Sequence, residues 1–483
     1  MTKIAIVGAG VSGLSAGIYA LKKGYEVSIY ERHYKAGGNL TGWDRQGYHI
    51  DNCIHWLTGT NPNTKLYKMW LELGVLGDIE IYQGETLFTY KEKDITVSLF
   101  SDLNKTRDNM LSISPEDKKE ILSFIKAIEV IQKIDGIYGN ESDKAGNFID
   151  KIFQYPHLLK YYFLSTGDLA KKFKSPILKK FICSVMGECF SSLALIIVFA
   201  TFTGKNGGIP KGSSQAMAKR MENKFTSMGG KLHLKKGVNK INVEDNRAVS
   251  LILDNEEEVF FDYVVISGDP KYIFTNLLDA SYMPSPLKKH YDDLNMIRFS
   301  AYHCAYSCDL SKLDFNGDVI LEVPKKYQDK LPNNYIMIRE FQHEKDFAPN
   351  GKNIIQVMVY CNENDSKKFI ELSKNEKEYV RLKQEISEII KEIIYEEFNI
   401  LKGKLKTIDI WTPATYKRYT DSDIGSFMSF VLPPKVIPKT ITNKVKGLNN
   451  VILASQWLQA PGGLPIAARV GKNATETISD LIS

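Results

Sequence analysis

The stretch KIAIVGAGVSGLSAG, residues 3–17, constrains the chain more than any other. Lys3 to Val7 form a short apolar run, as in a strand buried on both faces. Gly8, Gly10 and Gly13 follow at the G-x-G-x-x-G spacing. Gly8 permits the tight turn out of the strand, Gly10 admits a pyrophosphate close to the backbone, and Gly13 lets the next helix pack on the sheet. That helix start aims unpaired N–H groups at an anion. A second strand, Glu26 to Tyr30, ends at Glu31, about twenty residues on, where ribose hydroxyls are read. Its carboxylate repels a 2′-phosphate, which disfavours NADP. Strand, glycines, helix and acid together predict a dinucleotide site; a glycine-rich turn without ligand is the plain alternative.

The chain is far longer than such a unit needs. Its 483 residues imply two or three domains. Only six positive charges are in excess over this length, so no nucleic-acid partner is expected. Six cysteines without a C-x-x-C read as free thiols. The first strand begins too early for a signal peptide, and SSLALIIVFATF (191–202) is too short to span a bilayer. A cytoplasmic protein is expected, with a peripheral membrane contact as a further possibility.

After the first unit, residues 80–100 alternate like strands, and about 101 to 204 are helical. GKNGGIPKG (204–212) is a glycine-rich loop before a helix. Short strands fill about 231–266, and strands such as NYIMIREF and NIIQVMVYC lie within 286–362. Residues 374–399 make a charged amphipathic helix. The chain closes on a strand, NVILAS, a Pro-Gly-Gly loop and a last helix. That second strand–loop–helix lies about 450 residues after the first. An NAD domain usually closes locally, whereas a flavin site of the monooxygenase and amine-oxidase type takes its last helix from the far C-terminus. No second G-x-G-x-x-G marks a separate NAD(P)H domain. FAD is therefore the preferred nucleotide.

On these motifs the chain resembles the phytoene desaturase, carotenoid isomerase and retinol saturase group of FAD-dependent oxidoreductases, over nearly its whole length. The pieces are IVGAGVSGLSAG with YERHYKAGGNLTGW, then GYHIDNCIHWLTG, GGIPKGSSQAMAKRM, VNKINVEDNRAVSLILD with DYVVISGDP, and GLNNVILASQWLQAPGGLPIAARVGKNA. The resemblance implies an α/β architecture, α+β overall: a discontinuous Rossmann-like FAD-binding domain (1–75, 205–285 and 403–483) and an inserted substrate domain of mixed sheet and helices (76–204 and 286–402). It implies Glu31 on the adenosine ribose, with Arg32, Gly38 and Asn39 along the pyrophosphate and ribityl chain. Val238 would hold the adenine through its backbone, and Pro461, Gly462, Gly463 and Leu464 would approach the isoalloxazine. Cys53, Ile54, His55 and Trp56 would pass close to the ring. The sequence departs from the group at Cys53 and Ser213, where glycine is usual, and at Ser455 and Gln456; Gln456 can hydrogen-bond a phosphate without adding charge. GLPIAA also lacks one glycine of the usual run.

The activity so implied is desaturation, saturation or isomerisation of a lipophilic unsaturated substrate, a carotenoid, isoprenoid or related lipid. Hydride would pass between a substrate carbon and flavin N5. Quinone, oxygen and a protein partner are all compatible electron acceptors. An amine oxidase shares the flavin frame, and a flavin-binding protein without turnover is the non-enzymatic alternative. No G-x-S-x-G, H-E-x-x-H or Cys–His metal spacing occurs, so no metal is expected. His55 is the candidate catalytic group, able to donate to the flavin or move a proton near neutral pH, unless it is a structural histidine bonded to backbone. Trp56 is a flavin wall or plain core. His303 and Cys304 lie on an alternating strand, cleft-lining or ordinary sheet core. Arg339 and His343 would bind a substrate carboxylate or form a solvated strand end. In LAKKFKSPILKKF (169–181), Leu169, Phe173, Ile177 and Phe181 form a stripe flanked by lysines, a membrane-surface contact or a packed helix pair with a wet lysine face.

Overall fold

The computed structural model describes residues 1–134, 154–310, 313, 315, 317–431, 433–436 and 441–483. Two sheets organise them. The first is parallel and five-stranded, in the spatial order Lys231–Leu234, Glu26–Glu31, Lys3–Val7, Tyr263–Ile266, Val451–Leu453. Ile4 and Ile6 are 2% and 0% exposed, as a strand covered on both faces requires. The expected discontinuous, Rossmann-like α/β architecture is present.

The helices on this sheet cross at very short range. Helix Val11–Lys22 packs against the last helix, Leu464–Ile482. A Cβ on Gly471 would lie 2.3 Å from the Ser12 carbonyl oxygen. Ser15 donates to the Ala468 carbonyl (2.6 Å) and Thr475 to that of Ala16 (2.9 Å). These contacts set both helix starts beside the C-terminal ends of the parallel strands, where ligands of open α/β sheets bind.

The second sheet has seven strands, in the order Leu405–Trp411, Ser300–Cys308, Asn353–Cys361, Tyr335–Glu340, Asp318–Glu322, Thr86–Glu92, Ile95–Phe100. Period-two alternation splits its faces. Ile355, Val357 and Val359 pack with Ile386, Ile389, Ile390, Ile393 and Ile394 of helix Glu376–Glu397. That helix starts at Asn375, whose side chain accepts from Glu378 N–H, and its isoleucine spacing forms one apolar stripe. Met337, Met358 and Ala301 point the other way, toward the helices between residues 103 and 203. Strand Leu405–Trp411 pairs with Ser300–Cys308. It belongs to this sheet, although it falls within the 403–483 stretch expected in the nucleotide domain; its apolar alternation fits either sheet, and only the pairing decides.

The 169–181 stripe turns inward. Leu169, Phe173 and Phe181 are buried in the core of the helical part, while Lys171, Lys172 and Lys174 are exposed. Ser175, capping helix Pro176–Met186, and Pro176 break the segment into two short helices. The packed-pair reading therefore holds, and the stripe offers no apolar face to a bilayer. Among the described residues no helix is long and apolar enough to cross a membrane.

Candidate functional site

A cavity of about 680 Å³ opens between the two sheets. Of the expected site residues, Gly8, Gly10, Glu31, Arg32, Gly38, Asn39, Cys53, Ile54, His55, Trp56, Val238, Gln456, Pro461, Gly462, Gly463 and Leu464 line it. Gly13 does not. It lies beneath the turn, where a Cβ would come 2.0 Å from the Gly8 carbonyl oxygen.

The polar end is built by backbone. Gly8 has φ of +91°, a region that favours glycine. Gly10 precedes the first helix with no side-chain cap, and a Cβ there would meet nothing within 4 Å. Gly463 stands in the same position before the last helix, also uncapped by a side chain. Two helix N-termini thus open on one space, each with donors suited to an anion. Glu31 accepts from Ala9 N–H (2.8 Å) and His33 N–H (2.9 Å), one bond on each carboxylate oxygen, which leaves both able to accept again.

Several expected residues have partners that their sequence neighbours did not announce. Arg32 pairs with Asp421 and donates to the Arg418 carbonyl (2.6 Å). His33 stacks on Tyr419 at 4.6 Å. Gln456 accepts from Gly463 N–H (2.8 Å) and donates to the Phe427 carbonyl (3.3 Å). It thereby fixes the loop before the last helix. Burial and nearby Asp51 push the Cys53 thiol up to about 12, so it is no thiolate at neutral pH.

The segment 52–56 runs along the middle of the cavity. Asn52 accepts from the Tyr416 hydroxyl (2.9 Å), which also meets His303 Nε2 (3.0 Å). His303 stacks flat on Trp411 at 4.7 Å. Burial, then the charges of His55 and Arg339, hold His303 well below its ordinary value, so it is neutral. His55 bonds through Nδ1 to the Asp318 carboxylate, not to backbone. Trp56 has its edge against Phe88 (5.9 Å) and donates to Thr58 (3.1 Å). It is cavity wall and partly core together.

Beyond Trp56 the lining is apolar: Phe88, Met186 and Phe190, then Ala194, Ile197 and Val198 of helix Ser192–Thr203, and Met337, Met358 and Tyr360 of the second sheet. The carboxylates that line the cavity, Glu31, Asp269 and Asp421, belong to the other end. Cys304 faces away and contacts the Tyr306 hydroxyl at 2.9 Å. Arg339 and His343 are no solvated strand end. Arg339 is 6% exposed, between Asp51 and Asp318, and His343 stacks on Tyr82 at 4.3 Å.

Sequence reasoning missed Asp318, Tyr416, Ser426 and Ser429. Nothing near them in sequence marks them, because Tyr416, Ser426 and Ser429 reach the cavity, and Asp318 reaches His55, from distant segments. The Ser426 and Ser429 hydroxyls are buried in the wall without a hydrogen-bond partner among the described residues. Orphaned hydroxyls, two uncapped helix starts and a glycine cradle fit a dinucleotide. Among the described residues no cluster of three or more metal-ligating side chains occurs.

Comparison with known proteins agrees with this geometry. A model of the NAD(P)-binding Rossmann-like domain matches residues 6–73. Prolycopene isomerase of Daucus carota is 22% identical over 464 residues, covering 87% of this chain and 71% of its own. The 4,4'-diaponeurosporene oxygenase of Staphylococcus aureus strain MW2 is 21% identical over 519 residues, covering 99% and 98%. An oxidoreductase from Methanosarcina mazei superposes with a TM-score of 0.61 at 17% identity, over 99% of this chain and 100% of that one. Cyclohexylamine oxidase from Brevibacterium oxydans IH-35A superposes at 0.60 and 13% identity, over 100% and 99%. The fold is thus shared with that oxidoreductase and with cyclohexylamine oxidase. The sequence relatives are an isomerase and an oxygenase whose names denote carotenoid-type molecules.

Proposed function

We propose that this chain binds FAD across the two helix starts and acts as an oxidoreductase or isomerase on a lipophilic, unsaturated, carotenoid-like substrate in the apolar end. The observation that carries the reading is the division of one cavity into a backbone-built, anion-accepting end and an end walled by aliphatic, methionine and aromatic side chains. Glu31 would take the adenosine ribose, Gly10 and Gly38 the pyrophosphate, Asn39 the ribityl chain and Val238 the adenine. Arg32 would shield the phosphates while tied to Asp421. Pro461 to Leu464 would lie along the isoalloxazine, with Cys53 to Trp56 opposite. FAD, when bound, supplies two-electron chemistry at a carbon–hydrogen bond. The chain orients the polyene, keeps water from it and offers His55 as a proton carrier.

The amine-oxidase alternative rests on the fold likeness to cyclohexylamine oxidase. An amine cation entering the apolar end would meet no lining carboxylate there, and an unpaired buried charge is costly. That favours a neutral, apolar substrate. Anaerobic titration of FAD-loaded protein tests the choice. Bleaching of flavin absorbance by polyene substrates, with none by alkylamines, is the expected result. Bleaching by amines alone overturns it, and protein that takes up no FAD removes the redox assignment altogether. Mass spectrometry of co-purifying lipophilic material would narrow the substrate.

A further inference from the structure

The cavity wall at His55 contains more than one histidine needs for packing. His55 Nδ1 is held by Asp318, the first residue of strand Asp318–Glu322, 263 positions along the chain. Its Nε2 has no hydrogen-bond partner among the described residues, and the ring lines the cavity where the polar and apolar ends meet. Asp318 is braced in turn: Arg339 Nε lies 3.7 Å from its Oδ1. The same guanidinium approaches Asp51 at 4.0 Å. Asp51 is itself fixed by Ser214 N–H (2.7 Å) and hydroxyl (2.8 Å). Four elements therefore converge to fix one imidazole.

We propose that Asp318 is a positioning residue: it holds the Nδ1 proton of His55, fixing ring and tautomer, so that Nε2 is the proton-exchanging atom presented to whatever occupies the junction of the cavity. In the transfer a proton moves between Nε2 and a group in the cavity, while the Nδ1 proton stays on the Asp318 hydrogen bond; no electrons move. The inference rests on the cavity being the reaction site.

The surrounding charges favour His55 for this role over its neighbours. Arg339 stands between two carboxylates, 3.7 Å from Asp318 and 4.0 Å from Asp51, and so braces the side chain that holds His55. His303 stays neutral, and burial pushes His343 down to about 4. Burial raises Tyr360 to about 12, so that hydroxyl keeps its proton. Glu340 and Glu344, on neighbouring segments, are raised by burial as well. A carboxylate behind an imidazole orients it without itself taking the proton.

Nitrogen-15 NMR of histidine-labelled protein tests this directly, since the chain has eight histidines and His55→Gln assigns one of them. Wild-type protein should show His55 as the Nδ1–H tautomer. In Asp318→Asn the population should shift toward Nε2–H, and the Nδ1 proton should exchange with solvent about tenfold faster, with circular dichroism unchanged. An Nε2–H tautomer in the wild type overturns the proposal. So does a folded Asp318→Asn protein whose tautomer and exchange rate match the wild type. Should that variant fail to fold, the wild-type tautomer decides alone. FAD uptake by the same samples separates the two readings: the expected tautomer in protein that takes no FAD sinks the site assignment, whereas normal uptake with an Nε2–H ring sinks the dyad.

Discussion

The two ends of the cavity are made from different material. At the polar end the wall is largely backbone, and glycines decide the shape: Gly8, Gly10, Gly37, Gly38, Gly462 and Gly463, held by the crossing of the first and last helices. At the apolar end the wall is side chain, and substitution changes volume rather than turn geometry. A backbone-built site is rigid, and an atom added at a close-packed glycine such as Gly462 meets its wall at 2.8 Å. A side-chain-built site keeps the fold while its shape drifts, which is how one fold can serve proteins as different as a prolycopene isomerase and a cyclohexylamine oxidase.

Substitutions that separate the ends can break this contrast, and the largest effect should come from the helix crossing. Gly471→Val forces a Cβ to within 2.3 Å of the Ser12 carbonyl oxygen. Overpacking of this kind should cost about 3 kcal/mol, and by parting the two helix starts it should remove FAD uptake as well. Denaturant midpoints and flavin absorbance read both. A stable variant that still binds FAD would mean that the crossing does not set the cradle. Gly10→Glu should act differently. Its Cβ has space, so the fold stands, but a carboxylate then occupies the place proposed for the pyrophosphate. FAD affinity should fall at least about hundredfold, or about 2.7 kcal/mol, with the unfolding midpoint nearly unchanged. Loss of both together would show that Gly10 is structural.

At the other end, Ala194→Trp places a large ring among Phe190, Ile197 and Val198. FAD binding should stay within about twofold, whereas binding of a conjugated polyene fatty acid probe, read by fluorescence, should fall about tenfold. Equal losses of both ligands would erase the distinction between the ends.

The sequence discloses the two ends unequally, for a physical reason. The polar end follows local rules: a strand period, a glycine spacing and a helix start all lie within residues 3–17, and the counterpart at 451–464 repeats the pattern. Glu31 is legible because the length of one βαβ unit fixes its distance from the glycines. The seven-stranded sheet has no such rule. NIIQVMVYC shows that alternate residues face opposite ways, but which set meets the cavity depends on where helix Glu376–Glu397 packs. The pairing of Leu405–Trp411 with Ser300–Cys308 is not legible in the sequence for the same reason: pairing is long-range. Asp318 was invisible because a single aspartate at a strand start has countless surface precedents, and only the fold brings it to His55.

The smallest expected effect concerns His303, which stands at the junction and belongs to neither end's chemistry. Buried and uncharged in the folded chain, it takes up a proton on unfolding at about its ordinary value of 6.5. The unfolded state then binds more protons than the folded one, so the contribution is fully present above about pH 6.5 and is lost as pH falls toward the depressed folded value. At pH 5.5 this one group should cost about 1 kcal/mol of stability relative to neutral pH. His303→Gln, which keeps a hydrogen-bonding partner for the Tyr416 hydroxyl, should flatten the stability profile between pH 7 and 5.5 by about that amount and leave FAD affinity within about twofold. An unchanged acid slope would mean that His303 is charged in the folded protein, which would place a second proton carrier beside His55 and move the polar end past the junction.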